Sequence, residues 1–209
     1  MKIAVAAANG KAGKLIVKEA VDRGMDVTAI VRGENQSAAQ HVLVKDIFDL
    51  AAEDLKGFDV VVDALGVWTP DLVHTIPEAA TYLADLLKGT DTRLVVVGGA
   101  GSLYVDPEHT KTVVDVTPFP AEAMPVVNAH GEALEKLRKY DDVNWTYVSP
   151  AGDFQAEGER TGKYILGGEE LVLNNKGESV ISYADYAIAM VDEIESGDHI
   201  KARISVVSE

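Results

Sequence analysis

The stretch Ala7-Ala8-Asn9-Gly10-Lys11-Ala12-Gly13 has the residue types and spacing to hold a phosphate. It follows an apolar run and opens a segment with helical periodicity, the arrangement of a dinucleotide-binding turn. Gly10 lets the backbone approach a pyrophosphate, and Gly13 lets helix and strand pack closely. The amides around Lys11 and Ala12 open the helix, where free N–H groups and the positive end of the helix dipole attract an anion. Asn9 suits turn geometry and offers a polar side chain. Ala7 stands where a three-glycine pattern has its first glycine. A negative φ there would make the alanine nearly free of cost.

The next residues read which dinucleotide arrives. An acid about 20 residues beyond the turn receives the ribose 2′-hydroxyl of NAD. Here the second apolar run ends in Arg32, whose guanidinium can pair bidentately with a 2′-phosphate. Lys11 can add a second charge. Arg32 thus favours NADP over NAD without closing off NAD. Asp46 is placed to accept from the adenine amino group, with Ile47 against the ring. Ala64, Leu65 and Gly66, then Gly98 and Gly99, are small or apolar residues at strand ends that leave room for ribose and nicotinamide. Pro150, Ala151 and Gly152 end a later strand, where the nicotinamide is expected to finish.

Reaction chemistry is less explicit. Short-chain dehydrogenases of the standard kind use Tyr-x-x-x-Lys, but the residues four beyond the seven tyrosines are Leu86, Glu108, Asn144, Ala151, Gly168, Ala187 and Met190. Alcohol–ketone chemistry of that type therefore lacks its acid. A flavin or similar conjugated acceptor needs less help, since it takes hydride on its ring and a proton from water, so positioning can carry the reaction. Trp68, Tyr104 and Phe154 lie by strand-end loops and can wall such a ring. His130 is a proton-donor candidate if its helix turns it inward; otherwise it is a solvated surface residue. No residue is assigned to catalysis. With no cysteine and five scattered histidines, no metal site is expected.

These residues need elements to position them. Met1–Ala8 reads as a strand and Lys14–Arg23 as a helix closed by Gly24. Strands follow at Asp26–Val31, His41–Val44, Phe58–Leu65, Arg93–Val97, Asn144–Val148 and Ala202–Val207. Helical segments are expected near Leu50–Leu55, over Asp71–Lys88, where Pro77 either kinks the helix or begins its second part, and over Ala121–Tyr140. Ser182-x-x-Asp185 resembles a capping box for a helix reaching Glu195. Residues 102–120 read as an irregular loop, and Lys163–Leu166 and Leu171–Leu173 as short strands. Alternating strands and helices predict an α/β, doubly wound, mainly parallel sheet with helices on both faces and a small C-terminal substrate-side lobe. The 209 residues suit a single domain, 1–209.

The formal net charge of −15 repels phosphate backbones and anionic lipid heads, and no local basic run offsets it. Neither nucleic acid nor membrane is expected as a partner. No apolar run reaches 18 residues and no signal-peptide pattern opens the chain, so a cytoplasmic location is expected. The partner is then a small-molecule acceptor; the sequence leaves oligomeric state open.

Longer blocks add a resemblance. Ala-Asn-Gly-Lys-Ala-Gly at 8–13, Ile30-Val31-Arg32, Asp46 and Val97 to Leu103 recur with three C-terminal stretches. These are Trp145 to Ala151, Gly158 to Tyr164 and Ile181 to Ala187. Together they resemble the NAD(P)H-binding, NmrA-like branch of atypical short-chain dehydrogenases, and within it the NADH–flavin reductase group. The resemblance covers essentially the whole chain and departs from the family's Gly-x-x-Gly-x-x-Gly at Ala7. It implies a Rossmann fold, a nicotinamide cofactor and reduction of a flavin or quinone-like acceptor. Two other readings stay open: an NAD(P)-sensing regulator without turnover, and an epimerase or dehydratase of the extended kind, which the missing Tyr-x-x-x-Lys disfavours.

Overall fold

Residues 3–6 are apolar without interruption, the pattern of a strand covered on both faces. In the computed structural model, which describes residues 1–209, they lie in β1 (Lys2–Ala6) at the centre of an eight-stranded sheet. The other strands are β2 (Asp26–Val31), β3 (His41–Val44), β4 (Val60–Asp63), β5 (Arg93–Val97), β6 (Asn144–Ser149), β8 (Tyr164–Gly167) and β10 (Ala202–Ser208). Their order is β3-β2-β1-β4-β5-β6-β10-β8. All pair in parallel except β8, which runs antiparallel to β10. This is a Rossmann-type sheet, as expected. The chain reverses its direction of winding between β1 and β4, so a crevice opens there beyond the strands' carboxyl ends.

The helices divide between the two faces. Ile3 and Val5 point toward α1 (Lys11–Asp22) and α5 (Tyr183–Ser196), in a core with Ile16, Val17, Ala20, Met190 and Ile194. Ala4 and Ala6 face α2 (Thr75–Leu87) and α4 (Met124–Leu137), among Leu83, Leu134, Trp145 and Tyr147. Small residues on β1's second face let α2 and α4 sit close to the sheet. None of the helices is long and apolar enough to cross a membrane.

Several local expectations change. α1 begins at Lys11, three residues earlier than its apolar spacing indicated, because Gly10 is extended (φ −68°, ψ 164°) and acts as the cap. Of the two roles open to Pro77, the structure shows the start of a second helical part and not a kink. A short turn at Pro70–Leu72 precedes α2, and Pro77 lies in α2's first turn, where a missing N–H costs nothing. Within 102–120 the chain forms one helical turn, α3 (Val113–Val116), and Tyr104 makes isolated bridges to Thr112 and Glu170. Leu171–Leu173 is not a strand. Leu171 donates its one sheet-like bond to Tyr104, and the pairing partner there is instead β9 (Val180–Ser182), parallel to β7 (Asp153–Gln155). Ser182 does cap α5, accepting from the Asp185 amide at 3.0 Å. The Asp185 carboxylate, however, turns to the 158–164 segment and accepts from the Thr161 and Gly162 amides, so only half of the capping box forms.

Candidate functional site: a two-lobed cleft at the sheet's switch point

The first turn ends β1 and starts α1 above the crevice. Ala7 adopts φ +57°, so the condition under which alanine would be nearly free of cost is not met. Its carbonyl accepts from the Gly10 amide at 3.0 Å, closing the turn. A Cβ on Gly13 would lie 2.5 Å from the same carbonyl and 3.0 Å from the Ala8 Cα, so only glycine lets α1 pack this closely. α1 has neither a side-chain cap nor an acid in its first turn. Its leading amides are left to a ligand, and they open onto the cleft.

Asn9 lines the first lobe, and its side chain is also tied to the loop after β2. Its amide donates to the Glu34 carbonyl at 2.8 Å and its oxygen accepts from the Gln36 amide at 2.7 Å. Asn9 thereby ties the loop after β2 to the glycine turn and fixes where Arg32 stands.

Arg32 lines the first lobe of the cleft, about 660 Å³, with Gly10, Glu34, Lys45, Asp46, Ile47, Leu65 and Gly66. The other cations nearby have partners: Lys45 is held by Asp54 at 2.8 Å, and Lys14 donates to Gln36. Arg32 is exposed and has no ion pair or hydrogen bond from its side chain. Asp46 uses one carboxylate oxygen to cap the Phe48 amide at 3.0 Å and keeps the other free. Ile47 is buried beside it. Glu34, not anticipated, brings a carboxylate to the same lobe.

The second lobe, about 490 Å³, shares Gly10, Leu65, Gly66 and Val67 with the first, so the two form one continuous cleft. It gathers seven of the candidate residues, Lys11, Ala12, Ala64, Trp68, Gly98, Phe154 and His130, and adds Val126, Ala156 and Tyr183. Lys11 faces this lobe and not the Arg32 side. Phe154 and Tyr183 form one wall, with ring centroids 4.0 Å apart, and Phe154 also abuts Tyr186 at 4.8 Å. Trp68 stands at the rim, 71% exposed. Tyr183 escaped the sequence reading because it looked like the first residue of a helix; its place directly after the Ser182 cap, opposite Phe154, was the available signal.

His130 is not solvated. Its backbone carbonyl accepts from the Tyr147 hydroxyl at 2.9 Å, and that hydroxyl accepts from the Gly99 amide at 2.9 Å. Burial pulls the imidazole down to about 4, so it is neutral near pH 7 and holds no transferable imidazolium proton. At the end of β4, burial pushes Asp63 up to about 6, and its carboxylate accepts only from the Leu65 amide.

Other expected residues lie elsewhere. Tyr104 stacks on His109 at 4.3 Å and belongs to the 102–112 loop, outside both lobes. Pro150 and Ala151 line a small separate crevice with Leu103, Leu171 and Ser205, and the Gly152 amide donates to Ser179 at 2.8 Å. β7 leaves β6 directly and carries these three residues under the C-terminal segment. Gly98 and Gly99 are small for protein neighbours: added Cβ atoms would meet the Tyr147 ring and the His130 side chain.

The NAD(P)H-binding family matches residues 7–196 of this chain. The chain is 48% identical over 212 residues to the uncharacterised protein YwnB of Bacillus subtilis, covering 100% of this chain and 99% of that one. A crystal structure from Streptococcus pneumoniae, described as "a putative NADH-flavin reductase", is 53% identical and superposes with a TM-score of 0.98 over 100% of both chains. A Lactobacillus casei structure is 33% identical, with a TM-score of 0.90 over 100% of this chain and 99% of that chain.

Proposed function

We propose that this chain, which belongs to the NAD(P)H-binding family, is an NADPH-dependent reductase that moves hydride to a flavin or quinone-like acceptor. The observation that carries the reading is the continuity of the cleft. An uncapped helix start and an unpaired Arg32 open on one lobe, and an aromatic-walled lobe lies directly beyond. The description of the Streptococcus pneumoniae relative supports the same class of acceptor.

The residues present fit a dinucleotide. The α1 amides and Gly10 receive the pyrophosphate, Arg32 receives the 2′-phosphate, and Asp46 and Ile47 receive the adenine. When bound, the reduced nicotinamide supplies two electrons and a proton as hydride. Leu65, Gly66 and Val67, common to both lobes, line the passage between them, with Ala64 just beyond, and Phe154 and Tyr183 wall the acceptor with Trp68 at its rim. A flavin or quinone that accepts hydride completes its reduction with one solvent proton. The chain therefore needs no acid of the Tyr–Lys kind, and its contribution is orientation. Glu34, beside Arg32, can accept from a ribose hydroxyl, which keeps NADH usable as a poorer donor.

Oxidation of NADPH or NADH with FMN, riboflavin or a quinone, followed at the reduced-nicotinamide absorbance, tests this. Turnover above the protein-free rate, faster with NADPH, is the expected result. Tight cofactor binding without turnover on any acceptor overturns it in favour of an NAD(P)-sensing protein.

A further inference from the structure

His130 presents a contradiction that the cleft itself resolves. Its Nδ1 is shut off from solvent and has no hydrogen-bond partner, one of only two such side-chain atoms in the protein. The ring as a whole makes no hydrogen bond; the only bond at this residue is through its backbone carbonyl. Yet His130 is held with care. Tyr147 fixes its carbonyl, and Gly99 is so near that an added Cβ would come within 2.8 Å of the His130 Cβ. A neutral imidazole has one N–H and one lone pair. An orphaned buried N–H is rarer and worse tolerated than an orphaned acceptor. The proton therefore belongs on Nε2, the nitrogen that is not shut away, on a ring that lines the second lobe.

We propose that His130 recognises the occupant of the second lobe, offering Nε2–H as a neutral donor to a carbonyl oxygen or ring nitrogen on the edge of a flat conjugated molecule held between Phe154, Tyr183 and Trp68. This rests on the reductase reading and narrows its acceptor: the molecule has a hydrogen-bond acceptor on the edge that meets α4. A donor aimed there also favours the reduced state, in which negative charge gathers on that edge as hydride arrives. The absence of any charged partner in the ring's surroundings suits this role, since burial alone keeps the imidazole neutral.

FMN is the probe. Its binding by the whole protein is measured by quenching of flavin fluorescence for wild type, His130→Phe and His130→Gln, with NADPH affinity and thermal melting as checks on folding. Phe keeps a flat ring without a donor, and Gln returns an N–H near the Nε2 position. His130→Phe is expected to weaken FMN about tenfold, the loss of one hydrogen bond of ordinary strength, with NADPH affinity unchanged. His130→Gln is expected to restore most of it. In 15N-histidine-labelled wild type, the His130 Nε2 resonance shifts saturably as FMN is added. Equal FMN affinity in His130→Phe, an unmoved resonance, or no FMN binding at all overturns the proposal. Absence of turnover by wild type would instead overturn the reductase reading, while FMN binding and the resonance still decide the role of His130.

Discussion

The Ala7 carbonyl lies 2.5 Å from the point where a Cβ on Gly13 would stand, and the Ala8 Cα lies 3.0 Å from it. Both obstacles are backbone and neither can swing aside. Gly13→Ala must push α1 off β1, at a cost of about 2 kcal/mol for an overpacked contact. The same shift displaces the amides that face the cleft. Denaturant unfolding and a cofactor titration are expected to show both losses together.

Ala7 itself sits at φ +57°, where a Cβ crowds the following carbonyl. Ala7→Gly removes that strain, partly offset by glycine's greater freedom when unfolded, for a net gain of about 1 kcal/mol. Equilibrium unfolding in urea measures it. The turn geometry is unchanged, so cofactor affinity is expected to hold or rise.

Arg32 is the cation in the first lobe with no partner. Arg32→Asp replaces a charge-assisted pair with repulsion, and NADPH affinity is expected to fall about a hundredfold. NADH, which has no 2′-phosphate, is expected to change less than about threefold. Paired titrations of the two nucleotides check this; equal losses would remove Arg32 from the 2′-phosphate site.

Asp63 makes stability depend on pH. Its carboxyl titrates at about 6 when folded, against an ordinary value of 3.8. The folded state therefore holds this proton more tightly than the unfolded chain does. Its contribution to stability is greatest below about 4, falls as pH rises to about 6, and stays low above that, a change of about 3 kcal/mol. Asp63→Asn keeps an acceptor for the Leu65 amide and removes the ionisation. Thermal melts from pH 4 to pH 8 are expected to lose this group's slope, with the variant more stable than wild type at pH 7 by about 1–2 kcal/mol.

The sheet was readable because its central strands are buried on both faces. Val60-Val61-Val62 or Leu94 to Val97 need no context to declare themselves. Arg32, Asp46 and Ile47 were readable because their distance from the turn follows from the βαβ repeat. The substrate side was not, because its strands have three or four residues and its path depends on long-range ties. Arg160 reaches Glu19 on α1 at 2.8 Å, and buried Asp185 holds Thr161. These contacts make the Gly158–Tyr164 block a structural strap that seats Phe154 and Tyr183, which periodicity cannot foretell. Pro150–Gly152 failed as a cofactor wall for the same reason: β7 carries them away from the cleft. His130 was judged by its helix alone, and only packing against Gly99 and Tyr147 reveals which way it faces.

In the proposed reaction the two lobes bring a nicotinamide against an acceptor ring. This is tested most directly by anaerobic single turnover of FMN with NADPH carrying deuterium at either face of the nicotinamide C4. A walled site exposes one face only. Protein-dependent bleaching of the flavin is expected, slowed several-fold by deuterium on one face and unaffected by deuterium on the other. Bleaching no faster than without protein, or equal slowing from both faces, would contradict it.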